Sequence, residues 1–140
     1  MKIYFLLVLI FLPIEFISAQ NCTLKIKISN LDERNGNISI GLFNNPESFP
    51  KKESGKIGVN LPINDSLVIH TFMNLEKGKY ALAIFHDENS NGKLDRSIFG
   101  WPTEDYVFSN YAEGSFGPPS FEETSFILND SLFIELKLKE

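Results

Sequence analysis

A single cysteine among 140 residues excludes an internal disulfide, so packing alone has to hold the fold. With only His70 and His86 as histidines, and Cys22 in phase with apolar neighbours, the sequence offers no convincing zinc set. Positive charge is also scarce. Thirteen Lys and Arg stand against 18 Asp and Glu, a net charge of -5, with no basic patch for nucleic acid and no polybasic helix for anionic lipid. No internal repeat or low-complexity segment divides the chain. No nucleophile elbow, metalloprotease helix motif or phosphate loop is present.

The one long apolar run is N-terminal. Met1-Lys2 opens it, Ile3 to Ile14 is almost wholly apolar, and Ile17-Ser18-Ala19 ends on a small residue. This is the layout of a secretory signal over residues 1–19, cleaved after Ala19. The run is short for a membrane anchor, which needs about 20 apolar residues. Asn21 before Cys22 fits poorly with lipid attachment to that cysteine. The expected mature chain, 20–140, is secreted or periplasmic, a single domain, with no membrane insertion. Cleavage removes Lys2 and Glu15 together, so the net charge is unchanged.

The mature region is patterned with period two. Cys22, Leu24, Ile26 and Ile28 alternate with polar residues, as do Ile38, Ile40 and Leu42 after the Asn35-Gly36 turn signal. These two strands are expected to form an antiparallel hairpin. Asn45 to Phe49 reads as one helical turn, capped by Asn45 with Pro46 at its first position. Lys56 to Asn60 reads as an edge strand, Leu67 to Phe72 as a better one, and Tyr80 to His86, apolar on both faces, as the central strand. Tyr106 to Ser109, Ser125 to Leu128 and Leu132 to Lys139 complete the set. The expected fold is all-β: a single antiparallel β-sandwich of about seven strands, immunoglobulin-like or transthyretin-like, with a small barrel as the competing architecture.

The central strand runs into His86-Asp87-Glu88-Asn89-Ser90-Asn91-Gly92-Lys93-Leu94-Asp95. Oxygen-bearing side chains at Asp87, Asn89 and Asn91, Gly92 at the turn, the Lys93 carbonyl and Asp95 follow the order of a calcium loop. Ile98 stands where such a loop usually ends in glutamate, so Glu104 or Asp105 would have to fold back as the missing ligand, with Glu104 the first candidate. The plainer reading is an Asx-rich turn in which these side chains cap their own backbone. Ca2+ is thus a candidate cofactor and not a required one. His86 shares the inward phase of Leu82 and Ile84, which argues for a buried, hydrogen-bonded ring.

After this loop comes an aromatic stretch, with Trp101, Tyr106, Tyr111, Phe116 and Phe121 interleaved with carboxylates. Trp101, Tyr106, Tyr111 and Glu104 are the candidate ligand contacts, for a peptide, a glycan or another protein. The expected alternative packs these aromatics into a satellite core beneath the loop.

Four blocks together carry a resemblance: the His86–Asp95 run, Gly100-Trp101-Pro102-Thr103-Glu104, Phe108-Ser109-Asn110, and Phe116-Gly117-Pro118-Pro119-Ser120-Phe121. They resemble DUF2141, a family of exported bacterial proteins of unknown function, across nearly the whole mature chain. Gly78-Lys79-Tyr80 is also similar to transthyretin-like and carboxypeptidase-regulatory-like sandwiches, at the level of fold only. The resemblance implies export and brings no activity or catalytic residues. Two classes of function follow. One is a non-enzymatic binding or structural module, with calcium as a candidate stabiliser. The other is a hydrolase of glycans or peptides that uses His86, Glu104 or Asp105 beside an aromatic groove.

Overall fold

The computed structural model describes residues 21–31, 35–50 and 56–138. The expected signal segment 1–19, part of the turn before Gly36 and Lys139, the last residue of the expected final strand, lie outside the described residues. Eight strands form: β1 (Cys22–Ser29), β2 (Asn37–Phe43), β3 (Lys56–Pro62), β4 (Leu67–Leu75), β5 (Gly78–Asp87), β6 (Tyr106–Phe108), β7 (Phe126–Leu128) and β8 (Leu132–Lys137). They build two sheets, β4-β1-β8 and β3-β2-β5-β6, and β7 pairs with β5 beyond β6. The fold is all-β with two open sheets, not a barrel.

The alternation read from the sequence sets the core. Cys22, Leu24, Ile26 and Ile28 of β1 are at most 1% exposed. They join Ile38, Ile40, Leu82, Ile84, Val107 and Leu136 in one cluster contributed by both sheets. Burying this apolar surface is the main drive for assembly. Strand β5 is central as expected: β2 pairs along one side, and β6 and β7 share the other. Both of its faces are covered: Leu82 and Ile84 lie in the main core, while Ala81 on the opposite face is buried in a second cluster.

The structure differs from the sequence reading in four places. First, β1 and β2 lie in different sheets and are not a hairpin. Gly36, at φ +70, makes a crossing turn, and a Cβ there would stand 2.2 Å from the carbonyl oxygen of Asp87. The Asn-Gly pair marks a tight turn without dictating which strand follows it. Second, the arrangement is mixed, because β1 and β8 run parallel. The alternating pattern of each strand satisfies a parallel or an antiparallel neighbour equally well. Third, β4 extends to Leu75, past a register shift opposite Cys22–Leu24 where Asn74 takes φ +59. The bulge puts an extra residue at Met73–Asn74, just beyond the Leu67 to Phe72 span expected from the sequence, and the strand resumes at Leu75. Fourth, Asn45–Phe49 is a turn and not a helix. The Asn45 side chain accepts from Glu47 N–H at 2.9 Å, and Ser48 N–H bonds the Asn45 carbonyl at 3.2 Å.

A second, smaller cluster covers part of the outer face of the β2–β5 sheet. Phe43, Phe49, Ala81 and Phe121 are buried there, with Phe108 packed against them. Phe49 meets Phe43, Phe108 and Phe121 edge-on, at centroid distances of 5.3, 5.8 and 5.9 Å.

Candidate functional site

Strand β5 ends by delivering Asp87 into a buried position, 1% exposed, at the start of the 87–105 connection. Its two carboxylate oxygens are both engaged by backbone: Asn91 N–H donates to Oδ1 at 3.0 Å and Gly92 N–H to Oδ2 at 2.8 Å. Gly92 takes φ +77, the conformation that brings its amide round to Asp87. Asn89 Oδ1 accepts from Asn91 N–H, and Asn91 Oδ1 from Lys93 N–H. Asp95 accepts the side-chain amides of Asn89 and Asn91 at 2.6 and 3.0 Å. This is the Asx-rich turn in full, each short side chain holding a nearby backbone or amide group.

Glu104 closes the loop from the other side. It is 7% exposed; Oε1 accepts Glu88 N–H at 3.0 Å and Oε2 accepts Asp95 N–H at 2.9 Å. Charge-assisted bonds of this kind are stronger than neutral ones and suit a carboxylate held away from water. His86, 4% exposed, faces inward as its phase requires, and its Nε2 donates to the Asn35 carbonyl at 2.7 Å. The His86 amide bonds the Asp105 carbonyl, so both ends of the loop are pinned to one strand end.

Asp87, Asn89, Asn91, Asp95 and Glu104 are therefore brought together, through hydrogen bonds rather than round a common point. Among the described residues no group of three Asp, Glu, His or Cys side chains is arranged to hold a metal ion. The Asp87 and Glu104 carboxylates spend their first lone pairs on backbone N–H groups, and Asp95 spends its own on the side-chain amides of Asn89 and Asn91.

Above this knot, the segment from Asp95 to Thr103 turns back on itself. Thr103 N–H bonds the Asp95 carbonyl, Ser97 N–H the Trp101 carbonyl, and Gly100 N–H the Ser97 carbonyl. Arg96 Nη1 donates to the Gly100 carbonyl at 2.9 Å. The tip carries Ile98, Phe99 and Trp101 into solvent, at 95%, 81% and 64% exposure. Phe116, from the next connection, is fully exposed as well. Phe99, Trp101, Pro102, Tyr106, Phe116, Pro118 and Pro119 line a groove of about 490 Å³, with Arg96 and Glu113 as its charged residues.

Of the candidate ligand contacts, Trp101 and Tyr106 line this groove. Glu104 sits in the knot and Tyr111 is elsewhere, its phenol oxygen accepting Lys137 N–H at 3.2 Å. The satellite-core expectation holds for Phe121 alone among the five aromatics; Trp101, Tyr106, Tyr111 and Phe116 are exposed. Sequence reading missed Phe99, Arg96 and the prolines as groove residues. Their signal was the density of Pro, Gly and aromatics in a long connection.

The second connection, between β6 and β7, is tied at its neck. Ser109, fully buried, accepts Leu82 N–H at 2.9 Å and donates to the Thr124 carbonyl at 2.7 Å. Asn110 donates to the carbonyls of Glu123 and Ser125. A single-turn helix, α1 (Phe121–Thr124), precedes β7 and is closed by a capping box between Ser120 and Glu123. Its sequence signature is the Ser-x-x-Glu run from Ser120 to Glu123. Hydrogen bonds from Ser120 hold the Glu123 carboxyl below its ordinary range.

No helix of the described residues is long and apolar enough to cross a membrane. No curated protein and no solved structure gives a significant match to the chain. A family model does match residues 26–133, a span that holds the Asp87–Glu104 knot and the whole aromatic groove. The chain belongs to that family, DUF2141, described as an uncharacterised protein conserved in bacteria.

Proposed function

We propose that this protein is an exported, non-enzymatic β-sandwich module, of immunoglobulin-like or transthyretin-like kind, that binds apolar, proline-compatible peptides in its aromatic groove. The observation that carries the reading is the exposure of Phe99, Trp101 and Phe116 round one groove, on loops pinned from beneath. Clustered apolar exposure of this kind marks interaction sites. Grooves walled by aromatics take extended, proline-rich segments, whose ordering cost is already low. A glycan would need more polar partners than Arg96 and Glu113 supply. The hydrolase alternative is weakened by its own residues. His86 Nε2 and both Glu104 oxygens serve the loop, and neither these two nor Asp105 line the groove.

Trp101 is the only tryptophan, so its fluorescence reports on the groove. A pool of acetylated apolar pentapeptides containing proline is expected to shift its emission to the blue, saturably and without cleavage. Trp101→Ala is expected to abolish peptide retention while changing stability by no more than about 0.5 kcal/mol, as for other exposed sites. An unmoved spectrum, or cleaved peptides seen by mass spectrometry, sinks the reading. Export is tested by cell fractionation and intact mass, with a secreted or periplasmic chain beginning at Gln20 expected. The burial of Cys22 at the head of β1 supports a core role for it over lipid attachment.

Calcium enters as an added stabiliser. Asp87, Asn89, Asn91, the Lys93 carbonyl, Asp95 and Glu104 are the oxygen donors, and a carboxylate accepting two N–H groups retains further lone pairs. A cation would displace the amide contacts to Asp95. Melting in millimolar calcium is expected to rise by about 2–4 °C over chelator; superimposable melts remove the ion from the proposal.

A further inference from the structure

A second cleft adjoins the aromatic groove, with a volume of about 650 Å³. The two share Leu94, Arg96, Tyr106, Phe108 and Pro118 as a common wall. The floor of this inner cleft is the outer face of the β2–β5 sheet. There Gly41 pairs with Ala83 and Ser39 with Phe85, so three of four floor positions carry small side chains and leave a depression.

The charge of the inner cleft is opposite to that of the protein. The chain has 18 acidic residues against 13 basic ones, yet the charged residues lining this cleft are Lys93 and Arg96, with no carboxylate among the described lining residues. The Lys93 ammonium makes no ion pair with a described residue, since the ion pairs found are Lys27–Glu135 and Lys79–Glu122. Arg96 uses one guanidinium nitrogen on the Gly100 carbonyl. Two cations beside apolar walls, in a net-negative molecule, form a local site for an anion attached to an apolar body.

Resting on the peptide-binding reading above, we infer that Lys93 and Arg96 recognise the free C-terminal carboxylate of the bound peptide. The body of the peptide lies along Phe99, Trp101 and Phe116, and its last residue enters the inner cleft. A terminal carboxylate suits the site because it sets a charge directly beside the last apolar side chain. Lys93, Leu94 and Arg96 present that same juxtaposition within four residues of loop. The loop shape does not depend on the Lys93 ammonium, because Lys93 contributes its backbone N–H to Asn91 Oδ1.

The test uses two pools of acetylated apolar pentapeptides, identical except that one ends in a free carboxylate and the other in an amide. Retention by the immobilised full mature chain is read by mass spectrometry. The wild type is expected to prefer free acids by about three- to fivefold, the scale of one partly exposed charge pair. Lys93→Gln should abolish the preference and Lys93→Arg should keep it, while both retain the amides as the wild type does. The preference should also weaken in high salt. Equal retention of acids and amides, or a preference that survives Lys93→Gln, overturns the inference and leaves the groove reading intact. An amidated pool with an internal glutamate that matches the free acids also overturns it, by moving recognition to a side chain. Retention of neither pool, or retention indifferent to Trp101→Ala, overturns the groove reading and this inference with it.

Discussion

Glu104 holds two backbone amides on one buried carboxylate, Glu88 N–H and Asp95 N–H. Removing it leaves both donors without their protein partner in a partly buried site. Glu104→Ala is therefore expected to cost about 2–4 kcal/mol, the sum of two orphaned amides, in urea unfolding followed by circular dichroism. Glu104→Gln should cost less, because one oxygen survives while its amide nitrogen confronts a donor. A loss below about 0.5 kcal/mol for the alanine variant would show that the knot is not what holds the loop. That Glu104 folds back onto the Asp87–Asp95 run is legible in the sequence, because an acidic run lacking its closing carboxylate suggests one nearby. What Glu104 meets could not be read, since backbone amides do not show in a residue pattern. His86 was legible for the opposite reason: its phase along β5 decides its direction, and burial then demands a partner.

At the scale of elements, the split of β5's second side between β6 and β7 depends on Ser109. The ladder is interrupted opposite Leu82, where the Ser109 hydroxyl stands in for a strand by accepting Leu82 N–H and donating to the Thr124 carbonyl. Ser109→Ala is expected to destabilise by about 1–3 kcal/mol, because it leaves a buried amide and a buried carbonyl unpaired. Amide exchange should speed up at Leu82 in particular; unchanged protection there would contradict the stand-in role. Strands were legible wherever one face is buried, as in β1, where each even-numbered residue from Cys22 to Ile28 points inward. Pairing was not. A period of two gives each strand a buried face and leaves open whether its neighbour is parallel or antiparallel, next in sequence or far from it. The parallel partnership of β1 with β8 and the separation of β1 from β2 lay beyond that pattern.

The whole molecule sets a stability dependence on pH through His70. It lies on the inward face of β4, its ring 4.5 Å from that of Phe72, and burial lowers its pKa below 6.5. As pH falls below 6.5, the unfolded chain takes up the proton first, so stability declines until the folded pKa is passed; above 6.5 the group contributes nothing. Unfolding midpoints should fall between neutral and mildly acidic pH, and His70→Gln should flatten that slope. An equal slope in the variant would assign the effect to other groups. Two surfaces of the molecule are candidates for a partner. One is the aromatic groove. The other is the outer face of the β4-β1-β8 sheet, where Ile69, Met73 and Phe133 are half or more exposed but interspersed with Lys25, Lys27 and Glu135. The Lys27–Glu135 pair at 2.9 Å gives that face a charged, soluble character.

The choice between these surfaces is settled most directly by mapping amide chemical shifts on labelled protein spanning residues 20–140 during titration with the apolar pentapeptide pool. The expected result is a set of saturating shifts confined to Leu94, Phe99, Trp101, Tyr106, Phe116 and their neighbours. Shifts centred on Leu67, Ile69, Met73 and Phe133, or none at any concentration, would contradict the assignment of the groove as the binding face.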